Sequence, residues 1–210
     1  TAYIQTLEDG DLVVFDMTSM TQVSLRTNVG EWPKIIEFNP DYSRLFVSEW
    51  CGHRIAVLNP TNLELVTRIA TPPTPRGMCF STNGRTVWVA CFDEKRREDG
   101  EHGYIAEIDL RKKNITWSTD TRGSPRSMIL SKDEKSLFVS DMALNRIFVV
   151  DTELREISDE IMVSGRPKTM ALTADEDYLF VACYSGGVIE IIDLDKRSVV
   201  STVSADSNAT

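Results

Sequence analysis

The chain has 210 residues, 41% apolar and 26% charged, a globular balance that excludes wholesale disorder. Its net charge of −9 argues against the extended basic surface that non-specific nucleic-acid binding needs. No apolar run approaches the ~18 residues of a membrane-spanning helix, so no transmembrane segment is expected in this sequence. No basic-then-apolar leader precedes Thr1, and any targeting segment is expected to have been removed or to lie outside the sequence. Cys51, Cys79, Cys91 and Cys183 form no C-x-x-C pair, which disfavours zinc ribbons and thioredoxin-like chemistry. Most of them are expected to be small buried hydrophobes.

From the N-terminus the chain reads as five similar units, at about 1–29, 30–71, 72–121, 122–163 and 164–205. Prolines 33, 75, 125 and 167 open four of them, each followed by a cation: Lys34, Arg76, Arg126 and Lys168. A turn residue recurs at Asp41, Asn83, Asp133 and Asp175. An aromatic column follows (Tyr3, Phe46, Trp88, Phe138, Phe180), then a β-branched one (Ile4, Val47, Val89, Val139, Val181). Each unit then reaches Asp16, Asn59, Asp109, Asp151 or Asp193 at the end of an apolar run.

Within the last unit, four short segments at 168–173, 178–184, 188–193 and 198–203 are rich in β-branched or aromatic residues and bounded by turn formers. No helical periodicity is sustained anywhere. Four antiparallel strands per unit predict an all-β protein, a β-propeller with about four complete blades and one incomplete. Tyr3 falls in the second strand of its blade, so the first unit is expected to lack its innermost strand. A fragment of a larger ring is the expectation, with an imperfectly closed five-bladed ring as the alternative.

The stretches "GRPKTMALTADEDYLFVACYSGGVIEIIDLDKRSVVSTV", "RSMILSKDEKSLFVSDMALNRIFVVDT" and "KIIEFNPDYSRLFVSEWCGHRIAVLNPTN" resemble the YVTN-family β-propeller repeat. The resemblance spans nearly the whole chain, and related propellers include lactonase-like hydrolases and a nitrite-reductase haem domain. It implies seven blades in the intact ring and an extracytoplasmic protein, in the periplasm or on the cell surface. Two departures stand out. The glycine of the Asp-Gly turn survives only as Gly84, with Tyr42, Glu134 and Glu176 elsewhere, and the third unit carries a charged insertion at 93–103.

A propeller gathers equivalent positions around one axis. Lys34, Arg76, Arg126 and Lys168 would then form a cationic channel mouth that attracts a small anionic ligand or a protein partner. Asp141, at the end of strand two, is counted with them as a candidate binding residue; the alternative is that each cation pairs with a nearby carboxylate such as Glu49 or Asp141. Trp50, Phe92, Met142 and Tyr184 follow strand two, with Trp32 in a connecting loop, and would either line the same rim or pack between blades. The insertion would be a solvated loop on that face. Cys51 with His53 is too small a set for a metal, and the Glu8–Asp11 and Ala174–Asp177 runs read as turns. No catalytic motif is found, and no cofactor is implied. A non-catalytic binding scaffold is the leading expectation. A lactonase-like hydrolase or cofactor-binding domain is the alternative, and a purely structural role is the third.

Overall fold

A computed structural model describes residues 1–6, 8–26, 28–93 and 102–205. Among these, every regular element is a strand. The first sheet has three strands, β1 (Ala2–Gln5), β2 (Leu12–Asp16) and β3 (Thr21–Arg26). Four four-stranded antiparallel sheets follow. The second blade is β4 (Pro33–Phe38), β5 (Leu45–Glu49), β6 (Arg54–Leu58) and β7 (Leu65–Ala70). The third is β8 (Pro75–Phe80), β9 (Thr86–Asp93), β10 (His102–Asp109) and β11 (Asn114–Asp120). The fourth is β12 (Pro125–Leu130), β13 (Ser136–Asp141), β14 (Arg146–Asp151) and β15 (Glu156–Met162). The fifth is β16 (Pro167–Leu172), β17 (Tyr178–Cys183), β18 (Val188–Asp193) and β19 (Ser198–Ser204). The all-β propeller expectation holds, including the incomplete first blade.

Each hydrophobic cluster is a seam between consecutive blades. Phe46 packs with Met78, Val87 and Val89 of the next blade; Trp88 packs with Met128, Leu137 and Val139; Phe138 packs with Met170, Leu179 and Val181. Successive strand residues point to opposite faces, so the aromatic column reaches forward to the next blade and the valine column backward to the previous one. The two terminal blades break this symmetry. Among the described residues no blade covers Phe180, which is 38% exposed against 4% for Phe138, while Ile4 is 49% exposed where Val47 is wholly covered.

The turns explain the recurring Asp. Asp109 Oδ1 accepts from the Arg111 and Lys112 amides, and Asp151 Oδ1 from those of Glu153 and Leu154. Backbone donors of this kind hold the Asp16 and Asp109 carboxyls below the usual carboxylate range. Tyr42, Glu134 and Glu176 adopt φ of 57°, 61° and 63°, the left-handed conformation of Gly84 at 64°. The two glutamates work against that strain through contacts between blades. Glu134 accepts from Thr82 of the third blade, and Glu176 accepts from the Lys132 amide at 2.8 Å.

Two expectations need correction. Cys91 and Cys183 are buried, but Cys51 is exposed, because it sits in the turn after β5 and not on a strand face. The ends of the 93–103 insertion are strand rather than loop: Asp93 pairs with His102, and Phe92 with Gly103. Residues 94–101 lie outside the described residues. Truncating Phe138 to Ala should cost about 3–5 kcal/mol. The same change at Phe180 should cost less than about half of that, since its ring is only partly buried. Chemical denaturation of the two variants checks the difference.

Candidate functional site at the channel mouth

The innermost strands β4, β8, β12 and β16 stand next to one another in chain order around a common cavity. Each begins with a proline that needs no ladder donor and pairs opposite Glu49, Cys91, Asp141 or Cys183. A bulge follows each proline. In two blades a buried hydroxyl receives the freed amide: Ile35 N–H donates to Ser48 Oγ and Ser127 N–H to Ser140 Oγ, both at 3.0 Å. The bulge lets two successive residues, the cation and its neighbour, both face the axis.

The cavity measures about 820 Å³. Lys34, Arg76, Arg126 and Lys168 all line it. Deeper in come Ile35, Gly77, Ser127 and Thr169, and then Ile129 and Glu37. The narrowness at Gly77 is set by the backbone: a Cβ there would lie 2.1 Å from the Arg126 carbonyl oxygen. Glu37 is the one carboxylate among the described lining residues. It stays open to channel water, yet the surrounding blades desolvate it and raise its pKa. The Cys79 thiol is also pushed up, by burial first and by the Glu37 charge second, so it supplies no thiolate nucleophile at neutral pH.

The basic and aromatic columns form one device. Lys34 Nζ lies 4.3 Å from the Trp50 ring and 5.9 Å from that of Trp32. The Arg76 guanidinium sits between Trp50 at 5.2 Å and Phe92 at 5.7 Å, joining two blades. Lys168 Nζ is 4.4 Å from the Tyr184 ring. Such contacts hold a cation by about 0.5–2 kcal/mol without neutralising it. Trp32 is 43% exposed, with its ring 5.9 Å from Trp50. Phe92 and Met142 are buried, so they act as a floor under the rim and not as its surface.

A fifth cation joins the rim. Arg166 lies 5.9 Å from the Tyr184 ring and stands just before Pro167, where other blades carry Trp32, Thr74 or Ser124. It belongs to no basic column, which is why the repeat did not single it out. Lys168 registers the crowding: its pKa is lowered, by desolvation first and then by the charges of Arg126 and Arg166.

The two carboxylates considered as partners for the cations have structural work. Glu49 is fully buried and accepts from Arg54 Nε at 2.7 Å and Arg68 Nε at 2.8 Å. Asp141, also fully buried, accepts from the amides of Ser124, Ala143 and Leu144. It is therefore part of the loop that carries the rim, not a group that a ligand reaches directly. Neither histidine faces the cavity. His53 Nδ1 accepts from the Thr74 amide, and His102 Nδ1 pairs with Asp120 Oδ2 at 2.7 Å. Among the described residues no three His, Cys, Asp or Glu side chains come together to hold a metal ion.

Residues 77–210 match the SMP-30/Gluconolactonase/LRE-like region. The chain belongs to that family. The lactonase-like relationship expected from the repeat is thus carried by the family itself. Antigen Lp49 of Leptospira interrogans is 26% identical over 162 residues, 77% of this chain and 35% of that protein. The chain thus spans about a third of the length of this curated relative. Among solved structures, hydrazine synthase of Kuenenia stuttgartiensis superposes with a TM-score of 0.72 at 21% identity, covering 81% of this chain and 48% of that one. A functionally unknown protein of Desulfotomaculum acetoxidans gives 0.80 at 12% identity, with 98% and 66% covered. At such identities the structures share the propeller fold. Replacing Arg126 by Gln should raise the Lys168 pKa part of the way towards that of an ordinary lysine, because one neighbouring charge is removed and the desolvation stays. Amine-modification rates followed by mass spectrometry check this shift.

Proposed function

We propose that this propeller is a non-catalytic binding module that takes an anionic ligand at the channel mouth. The observation that carries the reading is the convergence of Lys34, Arg76, Arg126 and Lys168 on one cavity, with Arg166 beside them, in a chain of net charge −9. Burial in a wall and crowding by like charge both disfavour a lysine's charged form, and an incoming anion relieves the second of these. Trp32 and Trp50 give the ligand an aromatic wall beside the cations. The YVTN type of the repeat and an extracytoplasmic site of action belong to the same proposal. The recurring proline, turn and valine columns support the first, and a relative named as an antigen supports the second.

Family membership favours one second reading, a lactonase-like hydrolase. Glu37, the carboxylate facing the cavity, would then activate water, with the cations stabilising the developing oxyanion.

One experiment separates the two. Changing Arg76 and Arg126 to Glu should lower the affinity for carboxylate or phosphate ligands by about tenfold or more, with the melting temperature falling by only the few degrees that the lost ring contacts account for. Isothermal calorimetry and thermal melts read both quantities. Undiminished binding overturns the channel-mouth reading. Lactone turnover by the unmodified protein that disappears in Glu37→Gln establishes the hydrolase in its place.

A further inference from the structure

The charge in this channel is not of one sign along its length. The mouth is cationic, whereas Glu37 lies three residues further along β4 than Lys34. Both line the same cavity. Burial among the surrounding blades raises the Glu37 pKa. Between the two ends, Ser127 and Thr169 place hydroxyl groups, and Gly77 and Ile35 place none.

We infer that Glu37 is a second recognition point of opposite sign, and that the ligand is a small zwitterion whose anionic end meets the rim cations while its ammonium end reaches Glu37. This inference rests on the channel-mouth reading above and names its ligand class. A carboxylate in a partly desolvated channel gains most from a ligand that brings its own positive charge. The same ammonium is repelled by Lys34, Arg76, Arg126 and Lys168, which fixes the direction in which the molecule enters. A simple anion satisfies the mouth and leaves Glu37 unmet. A dicarboxylate of the same length places two like charges together at the inner end. The cavity of about 820 Å³ has room for a molecule of this size.

The test is a length series read by calorimetry, with the fluorescence of Trp32 and Trp50 as an independent signal. γ-Aminobutyrate, ε-aminocaproate and ω-aminocaprylate are compared with butyrate, caproate and caprylate. One of the longer amino acids should bind at least about tenfold more tightly than the carboxylate of equal length. Glu37→Gln should bring the two series together, while Arg126→Glu should weaken both. Equal affinities of the two series in the unmodified protein overturn the zwitterion and leave the mouth standing. A preference that survives Glu37→Gln overturns the role of Glu37. If no compound of either series binds, the mouth and the zwitterion fall together. The unmodified protein's length series decides the matter even where the variant does not fold.

Discussion

The constraint on which everything else depends is the burial of one blade's face against the next. Where two described blades meet, the earlier one supplies an aromatic residue pointing forward and the later one a valine pointing backward, and the four hydrophobic clusters are the four seams these residues make. Interiors pack densely, so the volumes in a seam set how far apart two blades stand. That spacing decides where the inner strands lie and how wide the channel between them is. The site is thus a by-product of packing some distance away. The cations need no long-range pairing to find one another, because the seams bring their strands together.

The repeat made the fold legible because the same physical demand recurs in every blade. Aspartates at the strand ends satisfy turn amides, prolines start strands where no donor is wanted, and methionines fill the seams. Column reasoning therefore reached the four lining cations directly. It does not reach what happens once. Arg166 stands in a column otherwise filled by Trp32, Thr74 and Ser124, and Glu37 in one shared with Cys79, Ile129 and Ala171. Neither has a repeated partner to give it away, and both matter only after the strands have been placed around a cavity. The structural work of Glu49 and Asp141 is hidden from the repeat for a similar reason. Nearness in sequence does not reveal that Gly30 and Gly123 lie so close to these carboxylates that a Cβ at either would collide with them. The lost turn glycines carry the opposite lesson. Glu134 and Glu176 reach across to the neighbouring blade's turn, which only the assembled ring brings within range.

An acidic protein that concentrates positive charge at one place has to hold it there at some cost. The aromatic rings under Lys34, Arg76 and Lys168 reduce that cost without removing the charge, since a ring quadrupole attracts a cation but does not titrate it. Buried acids nearby anchor the surrounding structure: Glu49 accepts from Arg54 and Arg68, and Asp141 from loop amides. The division of labour keeps the rim both ordered and attractive to anions. Net charge has little bearing on this. At physiological ionic strength the field of a distant surface carboxylate is screened within about 8 Å, whereas the rim cations act on a ligand in direct contact.

The channel axis then carries a gradient, positive at the rim and negative at Glu37. A ring of identical blades would have no such polarity, since every layer of the channel would repeat one side chain. Among the described inner strands the polarity comes from the second blade, which places Glu where the next three place Cys, Ile and Ala. One departure from the repeat is enough because all inner strands share a single lumen, so that a charge on any of them is felt by whatever occupies it. In a propeller the common positions build the wall. The residues that differ between blades are the ones able to distinguish one end of a ligand from the other.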